Sequence, residues 1–394
     1  MTPCQTTQEL PPDAELPPDS QQNANDSPEP EGTPPSGRRR SSYLWAILLL
    51  SATALLAGLA NDYYRFTQQA VKQSQILEIE RGWHLAQIAR LLEEKQIVRS
   101  ASWFQLFARW QRLHWSSNGI RLDSGIQAGE YEFPAGETPP QILARLTSGN
   151  QVVHRLVIPE GLTASEIVQR MQNQGWSDAE QALTDPELSK RLPPATTALE
   201  GWLFPSTYHY RKHDSASELL ARMVKQSQQV LDELWQSAHQ PGANRPARTV
   251  ELSPAETLIL ASIIEKESGQ SSERARVSAV FHNRLRKKMR LQSDPTVIYG
   301  LQKSAGGRGY DGNLTRQHLR EATPYNTYTQ YGLPPTPICN PGKSSIRAAL
   351  FPEDTEDLYF VARGEGYHVF AKTLPEHEAN VDRYQRHLPP PKKR

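Results

Sequence analysis

The stretch "SPAETLILASIIEKESGQ", residues 253 to 270, opens like a helix and stays apolar for most of its length. Ser253 stands at the N-cap, Pro254 at the first helical position and Glu256 at the third, which together make a capping box. The pattern predicts a helix from Pro254 to about Ser268, stopped by Gly269. Leu258 to Ile264 is apolar or small nearly all round, which is how a helix buried inside a domain reads. That run then meets Glu265, Lys266 and Glu267. At about 100° per residue, Glu267 lies about 200° further round than Glu265, so the two do not form a catalytic pair. Glu265 has Ala261 and Ser262 one turn before it and Ser268 and Gly269 one turn after. Small neighbours make a notch that something bulky could enter. A carboxyl group partly out of water there would hold its proton near neutral pH and suit a general acid. The alternative is a surface glutamate, or one neutralised by a structural partner such as Arg274 or Arg284.

Working outward, a second helix after Ser272 carries Val277, Val280, Phe281, Leu285 and Met289 on one stripe. Arg284, Arg286, Lys287 and Lys288 fall largely elsewhere, so the stripe reads as core packing. Upstream, "SAHQPGANRPARTV" at 237–250 is broken by Pro and Gly and marks a boundary before a last domain, 251–388. Three earlier segments repeat one spacing: Gly82, Ile88, Leu92; Gly136, Ile142, Leu146; Gly161, Ile167, Met171. Each is an alternating extended stretch, a glycine turn and a short amphipathic helix, which groups 76–175 as a strand–turn–helix module. Packing alone and glycan binding both fit it. Residues 176–250 form a connecting region whose "ALEGWLFPSTYHYRK" loop sets Glu200 beside Trp202, Phe204, Tyr208 and Tyr210. Such a loop lines a groove for sugar faces or anchors one domain on another.

The N-terminal part differs in kind. Residues 1–37 hold nine prolines and seven acidic residues without a Lys or Arg, a composition that cannot bury a core and reads as disordered. Arg38, Arg39 and Arg40 then abut an uncharged run from Tyr43 to Ala60. Eighteen residues span about 27 Å, enough to cross a bilayer core. With the arginines held in the cytoplasm, 1–42 is a cytoplasmic tail, 43–60 a transmembrane helix, 61–75 a linker, and the rest lies outside. A cleavable signal peptide competes, since "GLA" before Asn61 resembles a cleavage site. In the anchored topology Cys4 and Cys339 occupy different compartments and cannot pair.

A net charge of +1, without a basic stripe carrying interleaved aromatics, gives no footprint for nucleic acid. "GRGYDG", with Gly307, Gly309 and Gly312, follows polar residues instead of a buried strand, so it is no dinucleotide fingerprint. "HEANV" at 377–381 has Val381 where a zinc-protease motif needs its second His. No metal or cofactor is called for. What remains is a polar and aromatic set: Gln292, Asp294 and Tyr299, then Tyr325, Asn326, Thr327 and Tyr328. Amides, hydroxyls and rings suit a polysaccharide, while the same residue types also build turns.

These residues carry a resemblance. "ASIIEKES", "VFHNRL", "MRLQSDPTVIYG", "YNTY", "GLPP", "YFVA" and a closing "HVF", taken in order over about 75–388, resemble the MltG/YceG family of endolytic murein transglycosylases. The resemblance implies an α+β protein: a single transmembrane helix, a LysM-like α/β module over 76–175, a mixed α+β catalytic domain, and a short tail at 389–394. It implies a bacterial inner-membrane protein with its N-terminus cytoplasmic and its C-terminal domain periplasmic. Its partners would be peptidoglycan glycan strands and the synthases that make them. The implied reaction cleaves between N-acetylmuramic acid and N-acetylglucosamine, leaves a 1,6-anhydro end and terminates strand elongation. The first Glu of the "EKE" motif, Glu265, is then the catalytic acid. "EGWLFPSTY" matches the family at Glu200, Gly201, Trp202, Phe204, Pro205, Thr207 and Tyr208. Ser206 stands where relatives often carry Asp. Gln292, Asp294, Tyr299, Tyr325, Asn326, Thr327, Glu200 and Trp202 are the expected substrate contacts. Two rivals are a membrane-anchored peptidoglycan-binding scaffold and a two-carboxylate hydrolase using Asp294.

Overall fold

A computed structural model describes residues 38–115, 125–193, 196, 198–306 and 313–386. The acidic tail at 1–37, the 307–312 glycine segment and the 389–394 tail lie outside the described residues. The chain divides at Arg65/Phe66 into two compact units. The first is dominated by α1 (Arg38–Thr67), whose Tyr43–Thr67 portion is long and apolar enough to cross a membrane and has none of its hydrophobic window buried.

In the second unit the chain runs β1 (Gln75–Ile79), α2 (Leu85–Glu94), α3 (Ala101–Trp115), β2 (Gly129–Phe133) and α4 (Pro139–Ser148). It continues through β3 (His154–Val157), α5 (Ala164–Gln172), α6 (Ala179–Ala182), α7 (Pro186–Ser189), β4 (Thr207–Tyr210) and α8 (Ala216–His239). Last come α9 (Pro254–Glu267), α10 (Arg274–Arg286), α11 (Asp294–Ser304), α12 (Lys343–Leu350), the hairpin β5 (Tyr359–Gly364) and β6 (Tyr367–Ala371), and α13 (Leu374–Val381). The class is mixed α+β.

The repeated spacing has a structural cause. Gly82, Gly136 and Gly161 sit at φ of 85°, 91° and 79°, the left-handed region that glycine enters without strain. Each turn aims the next helix so that its i, i+4 apolar pair faces inward. Ile88, Leu92, Ile142, Leu146, Ile167 and Met171 are all at most 1% exposed. The three units do not share one sheet, however. β1 pairs antiparallel with β2, Ile76 opposite Glu132, whereas β3 pairs antiparallel with β4, Leu156 opposite Tyr208. The boundary drawn at 175 therefore runs between paired strands, and the third unit belongs to the same core as α8, α9 and α12.

Helix α9 is the axis of that core. Ser253 caps it by accepting from the Glu256 N–H, and the Glu256 carboxylate accepts the Ser253 N–H at 2.8 Å. Thr257 through Ile264 are buried on every side, as the all-round apolar reading requires. Helix α10 departs from its predicted stripe. His282, Asn283 and Arg284 are buried beside Val280 and Phe281, because His282 bridges the Val250 N–H and Ala349 O and the 355–358 segment folds across Asn283 and Arg284. The Asn283 amide donates to Thr355 O and Asp357 O, and the Arg284 Nε–H to Leu358 O at 2.7 Å.

Candidate active site

Where α9 surfaces, its two glutamates meet different surroundings. The Glu265 side chain is 6% exposed and its oxygens are taken: Oε1 accepts Arg274 Nη2 at 2.7 Å and Oε2 the Gly342 N–H at 3.0 Å. Arg274 also reaches Glu160 at 3.4 Å. The small residues beside Glu265 do form a recess, but the chain fills it. Ser262 Oγ donates to Ile259 O and accepts the Ile338 N–H at 3.0 Å, and buried Cys339 lies against Ser262 O. A notch of small side chains is the closest approach available to a neighbouring backbone, and residues 337–342 occupy it. The expectation of an open notch around Glu265 is corrected accordingly, and the structural alternative with Arg274 is the geometry observed. Glu265→Gln keeps an acceptor for Gly342 but leaves the Arg274 cation without its best partner. A loss of about 1–3 kcal/mol in stability is expected, read by denaturant melts, with cleavage per folded molecule largely retained.

Glu267, on the opposite side of the helix, lines a cleft of about 550 Å³ with Arg284, Gln292, Asp294, Tyr328, Tyr359, Phe360 and His368. The Ser293 hydroxyl donates to Glu267 Oε1 at 2.6 Å; the other oxygen has no hydrogen-bond partner among the described residues. Burial pushes this carboxyl up to about 7 against the opposing pull of Ser293, with the nearby Asp294 charge adding to the rise and Arg284 reducing it. Asp294 Oδ1 accepts the Tyr328 hydroxyl at 2.6 Å. Gln292 takes a left-handed φ of 50°, held by its N–H on Thr327 O and its side-chain oxygen on Arg284. The opposite wall is the β5–β6 hairpin, pinned beside α9. Glu273 accepts the His368 N–H and ring nitrogen at 3.0 and 2.9 Å, and Gln270 donates to Glu365 O. Gly269 has only Gly366 backbone where a Cβ would stand, 3.2 Å away.

A second cleft of about 500 Å³ holds Glu200, Tyr299 and Lys303. Glu200 is 7% exposed and accepts from the Ala164 N–H, the Asn340 amide and the Tyr299 hydroxyl at 3.1–3.2 Å. Burial raises its carboxyl to about 7, with the hydrogen bonds from Ala164 and Tyr299 and the Lys303 charge working against it. With three donors on two oxygens, Glu200 ties α5, α11 and the 340 loop together.

The expected contacts thus separate. Gln292 and Asp294 share the Glu267 cleft, and Glu200 and Tyr299 share the other. Tyr325 is 6% exposed, its hydroxyl engaged by Lys303 and Thr336. Trp202, Asn326 and Thr327 are 2%, 0% and 1% exposed and cannot touch a polymer. Asn326 ties the 318–321 carbonyls and Thr327 accepts the Ser293 N–H, so both support the cleft from behind. The residue that pattern reading passed over is Glu267. Its signal was present: it follows the same apolar run, with its own face on the helix.

The fold is thus an α+β core with two clefts, each holding one carboxyl raised to near neutral, Glu267 in one and Glu200 in the other. The chain belongs to the YceG-like family, whose family model matches residues 77–383. It is 32% identical over 327 residues to an "Endolytic murein transglycosylase" of Bacillus subtilis, covering 78% of this chain and 84% of that one. It is 26% identical over 338 residues to the protein of the same name from Streptococcus pneumoniae, covering 77% of this chain and 57% of that one. A solved structure described as a putative YceG-like protein from Listeria monocytogenes has 32% identity and a TM-score of 0.48, covering 78% of this chain and 99% of that one.

Proposed function

We propose that this chain is an endolytic murein transglycosylase whose acid is Glu267. The observation that carries the reading is the near-neutral Glu267 carboxyl on the wall of a groove built for polar rings. Protonated Glu267 donates to the glycosidic oxygen as the bond between N-acetylmuramic acid and N-acetylglucosamine breaks. The substrate's own acetamido oxygen steadies the positive sugar carbon. Glu267, now anionic, removes the proton of the muramic 6-hydroxyl, which closes on the anomeric carbon and leaves a 1,6-anhydro end. Arg284 and Ser293 hold the carboxylate form between the two steps. Tyr359, Phe360 and His368 offer faces to the sugars.

Helix α1 is proposed as a single-pass anchor in the inner membrane, with the catalytic domain periplasmic, where nascent strands and their synthases are met. The β1–α2–α3–β2 unit is proposed as the LysM-like glycan-holding module. Asp294 supports a second reading. It lines the same cleft, and a carboxylate there could activate water and make the enzyme a hydrolase.

Mass spectrometry of isolated peptidoglycan digested by the full chain separates the readings. Anhydro-muramyl ends support the transglycosylase, reducing ends carrying added water support the hydrolase, and no cleavage leaves the scaffold. The pH profile is a further check. The acid must start protonated, so cleavage is expected to fall as pH rises through about 7, the value to which burial lifts Glu267. A rate flat from pH 6 to pH 9 would remove Glu267 as the acid.

A further inference from the structure

The geometry points to His368 as the residue that takes the acetamido N–H of the muramic sugar, with Glu273 fixing its ring. The inference rests on the Glu267 cleft as the place of cleavage, and it gives the wall facing Glu267 a part in the reaction.

His368 stands on β6, its ring edge-on to Phe360 with centroids 5.2 Å apart. Its Nδ1 lies 2.9 Å from Glu273 Oε2, and its backbone N–H donates to the same oxygen at 3.0 Å. The two side chains are 10% and 15% exposed. A carboxylate only accepts, so Nδ1 carries the proton and the neutral ring keeps its lone pair on Nε2. Nε2 has no hydrogen-bond partner among the described residues, is not sealed from solvent, and belongs to a side chain that lines the cleft. His377 lines the cleft too, but it stacks on Tyr359 and keeps its Nδ1 buried. Pinning the hairpin needs Nδ1 alone. A free acceptor on the far side of the ring, with a negative charge behind it, fits a ligand donor that becomes positive.

The reaction creates one such donor. As the bond from the muramic anomeric carbon to the N-acetylglucosamine oxygen breaks, that oxygen keeps the electron pair and takes the Glu267 proton. The acetamido oxygen bonds to the anomeric carbon. Positive charge then spreads onto the acetamido nitrogen, and its N–H becomes a stronger donor. His368 Nε2 accepts this N–H without removing its proton, and so turns the acetamido oxygen towards the anomeric carbon. When the 6-oxygen closes on that carbon, the acetamido oxygen leaves with its bonding pair and the 6-hydroxyl proton passes to Glu267. The amide is then neutral again. The hydrogen bond is strongest midway, which is where it lowers the barrier.

The test uses the full chain with His368→Asn and His368→Gln. Asparagine keeps a side-chain nitrogen near Nδ1 for Glu273 but has no atom at Nε2. Glutamine reaches the Nε2 position with an acceptor oxygen. Release of anhydro-muramyl ends at saturating peptidoglycan is expected to fall about 10- to 100-fold with asparagine and less than about threefold with glutamine, the span of one hydrogen bond to a charged group. Calorimetric binding of a muramyl thiazoline, a stable mimic of the closed acetamido ring, should weaken about tenfold with asparagine alone. Asparagine at the wild-type rate with glutamine impaired makes the Glu273 contact structural only and overturns the proposal. Equal rates in all three overturn it too, as does loss in both variants with thiazoline affinity unchanged. Glu267→Gln, run beside them, keeps the two readings apart. If it is inactive, a failed order among the His368 variants strikes this inference alone. If it cleaves at the wild-type rate, the cleft reading falls and this inference falls with it.

Discussion

Glu267→Gln is expected to lower cleavage of isolated peptidoglycan by about 100- to 10,000-fold, the range over which a positioned general acid contributes. The amide keeps the shape and a hydrogen bond with Ser293 but has no proton of suitable acidity to give. Stability moves the opposite way. The folded carboxyl titrates near 7 against 4.5 for the free group, so its ionised form costs the folded state. That cost is absent below about pH 4.5, grows as pH rises and is complete above about 7. Glutamine removes it, so the variant should melt above the wild type at pH 8 by an amount on the order of 1–3 kcal/mol, and the gap should close towards pH 4.5. A stable, well-folded and inactive variant is what an acid held at the expense of stability implies. Wild-type cleavage by Glu267→Gln, with loss in Glu265→Gln, would return the role to Glu265.

Arg284→Met should be the most destabilising single change in the catalytic region. Arg284 is 7% exposed and its guanidinium donates to the carbonyls of Leu358, Arg290 and Leu291 and to the Gln292 side chain, with its Cζ 5.1 Å from the centroid of the Tyr359 ring. Methionine fills much of the volume but leaves those acceptors dry and unpaired. A loss of about 3–5 kcal/mol follows. Thermal melts should show it as a fall of about 5–10 °C. A second effect separates this from simple loosening. With the cation gone, the Glu267 carboxyl loses a charge that holds it down, so the pH at which remaining activity falls should move up. An unchanged melt would mean that the hydrogen bonds of Arg284 are replaced by water.

Features written in short stretches were legible in the chain. The capping box at Ser253 and Glu256, the buried run to Ile264, and the glycine spacing at 82, 136 and 161 each depend on neighbours within about two helical turns. The choice between Glu265 and Glu267 does not. It is made by Gly342 and Arg274 closing over one carboxylate, and by Ser293 and the β5–β6 hairpin framing the other. Arg284 misled for the same reason: a cation on a helix reads as solvated until the Leu358 carbonyl, distant in sequence, is folded over it. Asn326 and Thr327 carried two readings, sugar contact or turn chemistry. Their burial shows them in the loop's own hydrogen bonds.

The contact between Gly269 and Gly366 has a consequence for how this groove can change. The helix end that presents Glu267 and the hairpin that forms the facing wall meet backbone to backbone, with no side chain between them. A machinist would call it a joint without a shim. Any residue other than glycine at 269 adds thickness there and pries the jaws apart, and no substitution at that point can bring them closer. The gauge of the groove is therefore already at its lower stop. Variants along the walls can alter the cleft's lining, but at this joint the helix end and the hairpin already stand as close as backbone allows.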